Sequence, residues 1–287
     1  MTKTFEENVA ETSYILNDLS SLPRPNPQLA PNVMDLFSLK GKVAVVTGAG
    51  QGIGYCVIEA YAQAGADVAL WDIYEPKEQA EKLAKLYGVK AKSYACDVTK
   101  KEQVEATVNQ IEKDFGTIDV FVANAGINCN VGTILHPENA DDKNWERVLN
   151  VNVNGVYYCA KNAGRIFKKN GKGSFVITGS MSGHIINTPI YQAGYNTSKA
   201  AVIHLAKSLA IEFTGFARVN SVSPGYVDSG INDHLPHSTR QRWWTTIPAG
   251  REGLVRELAG AYLYFASDAS SYTTGADLVV DGGFTIC

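Results

Sequence analysis

The stretch Lys42-Val43-Ala44-Val45-Val46-Thr47-Gly48-Ala49-Gly50-Gln51-Gly52-Ile53-Gly54 decides the architecture. Its first half, residues 42–47, is a short β-branched apolar run, the composition of a strand buried on both faces. Its second half places four glycines in the seven positions 48–54, which permits a tight turn. From about 52 to 64 the apolar spacing predicts a helix. A strand that passes through a glycine turn into a helix opens a βαβ unit.

The same alternation continues along the chain. Strands are predicted at 67–71, 91–95, 119–123, 174–178, 217–222 and 278–281. Helices are predicted at 76–87, 99–115 with Thr99 as N-cap, 142–169 and 194–213. Strands alternating with helices imply a parallel sheet covered on both faces. The expected fold is α/β, a single doubly wound parallel seven-stranded sheet of the Rossmann type. It would occupy residues 36–287 with no internal linker. Residues 1–35 read differently. Pro23, Pro25, Pro27 and Pro31 forbid helix there, so an extended N-terminal arm or a mobile tail is expected.

Glycines at 48–54 also have a chemical use. They let the backbone approach a pyrophosphate, and the following helix N-terminus offers free N–H groups and a positive dipole end. The pattern is T-G-x-x-x-G-x-G rather than G-x-G-x-x-G, because position 53 is Ile. A tight turn alone would also use glycines. Its place after the first strand of a βαβ unit favours the cofactor site. Asp72 closes the second strand, 18 residues after Gly54. A carboxylate there can accept both adenosine-ribose hydroxyls and would repel a 2′-phosphate. Gln51 is neutral where a cation would greet that phosphate. Together they point to NAD(H) over NADP(H).

Tyr195-Asn196-Thr197-Ser198-Lys199 opens the last long helix. Spacing i, i+4 puts Tyr195 and Lys199 on one face. A phenol titrates near pH ~10 and is a poor acid–base catalyst at neutrality. A nearby ammonium stabilises the phenolate and lowers that value. A Tyr-x-x-x-Lys alone means little. Here it follows the fifth strand, at the sheet end where ligands bind.

With these residues in order, the chain from about 39 to 287 resembles a short-chain dehydrogenase/reductase. The motifs carrying the resemblance are Thr47–Gly54, Asp97-Val98, Asn124-Ala125-Gly126, Asn152, Ser180, Tyr195 with Lys199, and Pro224-Gly225. The resemblance implies that Tyr195 is the general acid–base. Lys199 would depress its pKa and bond the nicotinamide ribose, Ser180 would hold the substrate carbonyl oxygen, and Asn152 would position a water behind Lys199. Asp97 would meet the adenine with Val98 backing it, and Asn124 and Gly126 would lie beside the adenosine ribose. Ile53 would lend an N–H to the pyrophosphate, alongside Gly48, Gly52 and Gly54. After Pro224-Gly225, Val227 would meet the carboxamide through its backbone, and Ser229 would reach the carboxamide or phosphate. The family's serine often lies about 13 residues before the tyrosine; here Ser180 lies 15 before and Ser182 lies 13 before. The run Gly179-Ser180-Met181-Ser182-Gly183 favours Ser180, with Ser182 as the alternative.

Several runs, residues 35–42, 115–123, 180–183 and Trp243-Trp244, are similar to a fungal subgroup of that family. It contains ketose reductases and polyol 2-dehydrogenases, and some carbonyl reductases for aryl ketones. Many members are similar to NADPH enzymes and lack an acid after the second strand, a pattern from which Asp72 departs. The implied reaction interconverts a polyol and its 2-ketose with NAD. Reduction of bulky or aryl ketones, or dinucleotide binding without turnover, are the alternatives. Residues 231–253, with Arg240, Arg242 and the two tryptophans, are expected to form a substrate lid. His184 and Asp228 are weaker candidates for substrate contact.

Bulk properties exclude other classes. The 287 residues carry a net charge of −3, which invites no nucleic acid. No apolar run approaches the roughly 18 residues of a membrane span. Cys56, Cys96, Cys129, Cys159 and Cys287 form no C-x-x-C pair, and no His/Cys/Asp/Glu cluster has metal-ligand spacing. With no basic-then-apolar leader among residues rich in Glu6, Glu7 and Glu11, a cytoplasmic protein without a metal is expected. The family resemblance implies a homotetramer.

Overall fold

The computed structural model describes residues 26–128, 132–188, 190–230 and 237–287. Most of the N-terminal arm, Cys129, His234 and the first part of the expected lid lie outside them. Seven parallel strands form the central sheet: β1 (Val43–Thr47), β2 (Asp67–Asp72), β3 (Ala91–Ala95), β4 (Val120–Ala123), β5 (Ser174–Thr178), β6 (Arg218–Pro224) and β9 (Asp277–Val280). Their order is β3-β2-β1-β4-β5-β6-β9. The chain therefore winds outward one way from β1 and the other way from β4. The connections that leave β1 and β4 run to opposite sides at this reversal, which creates the crevice where such sheets take ligands.

Strand pleating sends alternate side chains to opposite faces. On β4, Phe121 and Ala123 enter one core, and Val120 and Val122 the other. Helices α3 (Lys101–Phe115), α5 (Gly155–Asn170) and α6 (Ala193–Glu212) cover the first face. Trp71, Phe121 and Phe175 meet there, with ring centroids 6.0 and 5.6 Å apart. Helices α1 (Gly52–Gln63), α2 (Lys77–Tyr87) and α8 (Val255–Ala266) cover the second. Leu39 is fully buried in that second core.

Local chemistry moves several boundaries. Helix α3 starts at Lys101, and Lys100 is its N-cap without a side-chain bond. Thr99 is not the cap, because Asp97 Oδ1 accepts from both its N–H and its hydroxyl, at 2.9 and 2.7 Å. The expected helix at 142–169 is α4 (Lys143–Leu149) and α5, joined by a π-helical turn over Asn150–Asn154. Asn152 sits in that turn. Two short strands, β7 (Val227–Asp228) and β8 (Gly253–Leu254), pair in a separate parallel ladder. They flank α7 (His237–Thr246) within the stretch expected to be a lid. None of the described helices is long and apolar enough to cross a membrane.

Candidate active site

A cavity of about 460 Å³ opens at the sheet reversal. It brings together almost the whole set expected from the sequence. Gly48, Gln51, Gly52, Ile53, Gly54 and Asp72 line it, as do Asp97, Val98, Asn124 and Gly126. Ser180, Tyr195, Lys199, Pro224, Gly225, Val227 and Ser229 also line it. Asn152 does not. It is buried directly behind.

The glycine turn fits a dinucleotide phosphate. Gln51, the N-cap of α1, makes no side-chain cap bond, so no side chain competes for the first N–H groups of the helix. A Cβ on Gly54 would collide with the Gly48 carbonyl, and one on Gly52 would lie 2.9 Å from the Ser229 carbonyl. Only glycine keeps that cradle open. Asp72 closes the turn from β2: its Oδ2 accepts from Gly50 N at 2.9 Å and its Oδ1 from Ile73 N at 2.7 Å.

Asn124 has a framework role. Its Nδ2 donates to the Thr47 carbonyl at 3.0 Å, and its Oδ1 accepts from Thr178 Oγ1 at 3.1 Å. Thr47 Oγ1 in turn accepts from the N–H groups of Asn124 and Ala125, both at 3.0 Å. The ends of β1, β4 and β5 are thereby tied beside the crevice.

Ser180 and Tyr195 line the cavity together, near enough for the serine hydroxyl to lower the phenol's pKa. Ser180 also accepts from Ser182 N at 3.1 Å, which shapes the short turn Met181–Gly183. Ser182 points elsewhere and accepts from Gln192 Nε2 at 3.4 Å. Of the two candidates, Ser180 is the one beside the phenol. Burial raises the Tyr195 pKa, and the Ser180 hydroxyl offsets part of that rise. The expectation that Lys199 would depress it is not met in this arrangement. Lys199 Nζ donates to the Thr178 carbonyl at 2.8 Å and stands 5.6 Å from the Tyr195 ring centroid. Desolvation lowers the lysine's own pKa to about 8, the expected direction for a buried ammonium.

Asn152 is 1% exposed. Its Nδ2 donates to the Ile127 carbonyl and to Ser198 Oγ, both at 3.0 Å, and its Oδ1 accepts from Ile127 N at 2.9 Å. A Cβ on Gly126 would lie 3.3 Å from Asn152 Oδ1 and 3.6 Å from Lys199 Nζ. The π-helical turn thus sets an amide close to the lysine.

Two weaker candidates fall outside the cavity lining. His184 Nε2 pairs with Asp277 Oδ2 at 2.8 Å. Asp228 accepts from Arg240 at 3.0 Å. Arg240 also bonds Glu252 at 2.8 Å, which fastens α7 to β7 and β8. Trp243 is 2% exposed and stacks on Tyr226 with centroids 4.0 Å apart. Trp244 Nε1 donates to Glu252 at 3.4 Å. Trp243 thus packs α7 onto the body, and Trp244 is half-buried beside His237 of the same helix. Sequence reasoning missed Asn187, Gln192 and Tyr226, which line the cavity. The available signal was position: Gln192 precedes Tyr195 by one helical turn, and Tyr226 follows Pro224-Gly225 directly.

Residues 48–285 match the family model described as enoyl-(acyl carrier protein) reductase. A Yarrowia lipolytica protein named "Probable NADP-dependent mannitol dehydrogenase" is 57% identical over 93% of this chain and 95% of its own length. A sorbose reductase of Candida albicans is 55% identical over 93% of this chain and 95% of its own. The crystal structure of an NADPH-dependent 3-quinuclidinone reductase from Rhodotorula rubra superposes with a TM-score of 0.88 at 44% identity, covering 93% of this chain and 99% of that one.

Proposed function

This chain belongs to the short-chain dehydrogenase/reductase family, and on that premise we propose that it interconverts a polyol and its 2-ketose by hydride transfer. The observation that carries the reading is Ser180 and Tyr195 set together beside buried Lys199, in the same cavity as the glycine cradle. The names of the Yarrowia and Candida relatives support the substrate class.

A bound nicotinamide dinucleotide supplies or accepts the hydride. Gly48, Gln51, Gly52, Ile53, Gly54, Asp72, Asp97, Val98, Asn124, Gly126, Pro224, Gly225, Val227 and Ser229 would hold it, together with Tyr195 and Lys199. Tyr195 Oη gives a proton to the oxygen being reduced, or takes one from the alcohol being oxidised. Ser180 holds that oxygen and orients the phenol. Burial keeps Tyr195 protonated at neutral pH, so the free site is poised as an acid. Oxidation needs the phenolate, which the Ser180 hydroxyl favours by lowering the Tyr195 pKa. Asn152 would hold a water behind Lys199 and so link Tyr195 to solvent.

We take NAD as the preferred dinucleotide. Asp72 and Asp97 line the cavity, and Lys199 is the one cationic side chain lining it among the described residues. A 2′-phosphate would meet a carboxylate with no cation to offset it. The Yarrowia relative is named for NADP, so cofactor choice is a sharp test. We further read the protein as a cytoplasmic homotetramer, with residues 1–35 as an arm, 36–287 as the catalytic domain and 231–253 as the substrate lid. Reduction of bulky ketones is the second reading, favoured by the apolar wall of Ile127, Val151 and Met181 and by the name of the Rhodotorula structure.

The deciding experiment is a panel of mannitol, sorbitol, arabinitol, their 2-ketoses and aryl ketones, run with both dinucleotides. Polyol-dependent NADH formation is expected. No turnover of any polyol or ketose overturns the reading, and aryl ketones winning by kcat/KM would establish the second one.

A further inference from the structure

Beyond the reacting atoms, one side of the cavity is built from neutral polar side chains that hold each other in fixed orientations. Gln192 is 7% exposed, Asn187 3% and Ser182 4%. Gln192 Nε2 faces three oxygens: Asn187 Oδ1 at 3.0 Å, Asn196 Oδ1 at 3.2 Å and Ser182 Oγ at 3.4 Å. Three acceptors around one end of the carboxamide identify that end as the NH2. The other end, Oε1, is then an acceptor. Asn187 is fixed in the same way. Its Oδ1 accepts from Gln192, and its Nδ2 donates to Tyr226 Oη at 3.3 Å. Since Tyr226 Oη accepts there, its own O–H proton remains to be donated. The Tyr226 ring cannot swing away, because it is stacked on Trp243 at 4.0 Å and meets Phe284 edge-on at 5.4 Å.

We propose that Gln192, Asn187 and Tyr226 form a specificity array that reads hydroxyl groups flanking the reacting carbon, with Gln192 Oε1 accepting and the Tyr226 hydroxyl donating. This rests on the polyol/ketose reading above and adds how that substrate is distinguished from a plain ketone or a charged sugar derivative. A hydroxyl is both donor and acceptor, so it satisfies an acceptor and a donor held side by side. A plain methylene satisfies neither, and leaves buried polar groups unpaired. A carboxylate or phosphate finds an acceptor facing it and, among the described lining residues, no cation beyond Lys199, which is committed to the Thr178 carbonyl. The array selects a neutral, polyhydroxylated carbon chain.

The test compares kcat/KM for a 2-ketohexose with that for 2-hexanone, which has the same carbon count and no other oxygen. It is run in the wild type, Gln192→Met and Tyr226→Phe. Both changes keep side-chain bulk, and Tyr226→Phe keeps the stack on Trp243, so the second variant serves if the first fails to fold. NADH binding checks that each variant is intact. Losing a hydrogen bond to a neutral group corresponds to about 2- to 13-fold, so the ketose-to-ketone ratio is expected to fall by roughly that factor in each variant. Ratios unchanged, or both substrates losing rate in parallel, would overturn the array while leaving the polyol/ketose reading intact. If the wild type itself ignores the ketohexose, the parent reading fails first. In a second arm, the sugar acid of the same carbon skeleton is expected to turn over at least about a hundredfold less efficiently than the neutral ketose, in line with rejection by polar sites. Comparable efficiency would overturn the charge selectivity.

Discussion

At the scale of the residue, Lys199 shows the cost of assembling a proton-transfer site. Its pKa is lowered from 10.5 to about 8 by desolvation. Below pH 8 the lysine is charged in both folded and unfolded chains, and the fold bears the full penalty of burying an ammonium. Between pH 8 and 10.5 the unfolded chain binds more protons, so this group's contribution to stability rises with pH. Lys199→Met removes the penalty along with the charge. At pH 7 it is expected to melt at or above the wild type while turnover collapses, the usual opposition of activity and stability. A drop in Tm of more than about 2 °C, close to 1 kcal/mol at this size, would contradict it. Asp72 is a residue-scale determinant of a different kind. Asp72→Asn keeps a side chain able to accept from Gly50 N but removes the charge. Hydrogen bonds to charged groups are worth about 1.5–3 kcal/mol, so the NAD-to-NADP ratio of kcat/KM is expected to fall about tenfold or more. An unchanged ratio would remove Asp72 from cofactor choice.

At the scale of the element, the glycine turn and α1 act as one unit. A methyl on Gly54 meets the Gly48 carbonyl, which is backbone and cannot rotate away. Overpacking of this kind costs about 1–3 kcal/mol. Gly54→Ala is therefore expected to lower the Tm and weaken NADH binding together, measured by melting and by fluorescence titration. Stability lost with binding intact would make the glycine a packing residue only. The elements also show what a sequence makes legible. β1 and β5 lie at 43–47 and 174–178, within or on the apolar runs that predict them, because doubly buried strands need continuous apolar runs. Thr99 looked like a helix cap and is not, because its hydroxyl has a better acceptor in Asp97, two residues earlier. The π-helical turn at 150–154 left no local signature. It adds one residue to a turn, and what holds it is Asn152 bonding to Ile127 across the site.

At the scale of the whole molecule, the positions gathered around the cavity were legible because the dinucleotide end is local. Turns, strand ends and one helical face fix where those side chains lie. The substrate end was not legible. Asn187 and Gln192 share the loop that leads into α6 while Tyr226 follows β6, and their joint orientation follows only from tertiary packing. The homotetramer we propose is tested at this scale. Light scattering should then give about 124 kDa, four times the 31.0 kDa chain; a monomer mass would refute it. Everything else depends on Tyr195 as the acid–base. The most direct measurement is dinucleotide reduction by a polyol in the wild type and in Tyr195→Phe, with NADH affinity measured on both. Turnover should be abolished in the variant while NADH binds as before. Retained turnover would contradict the assignment.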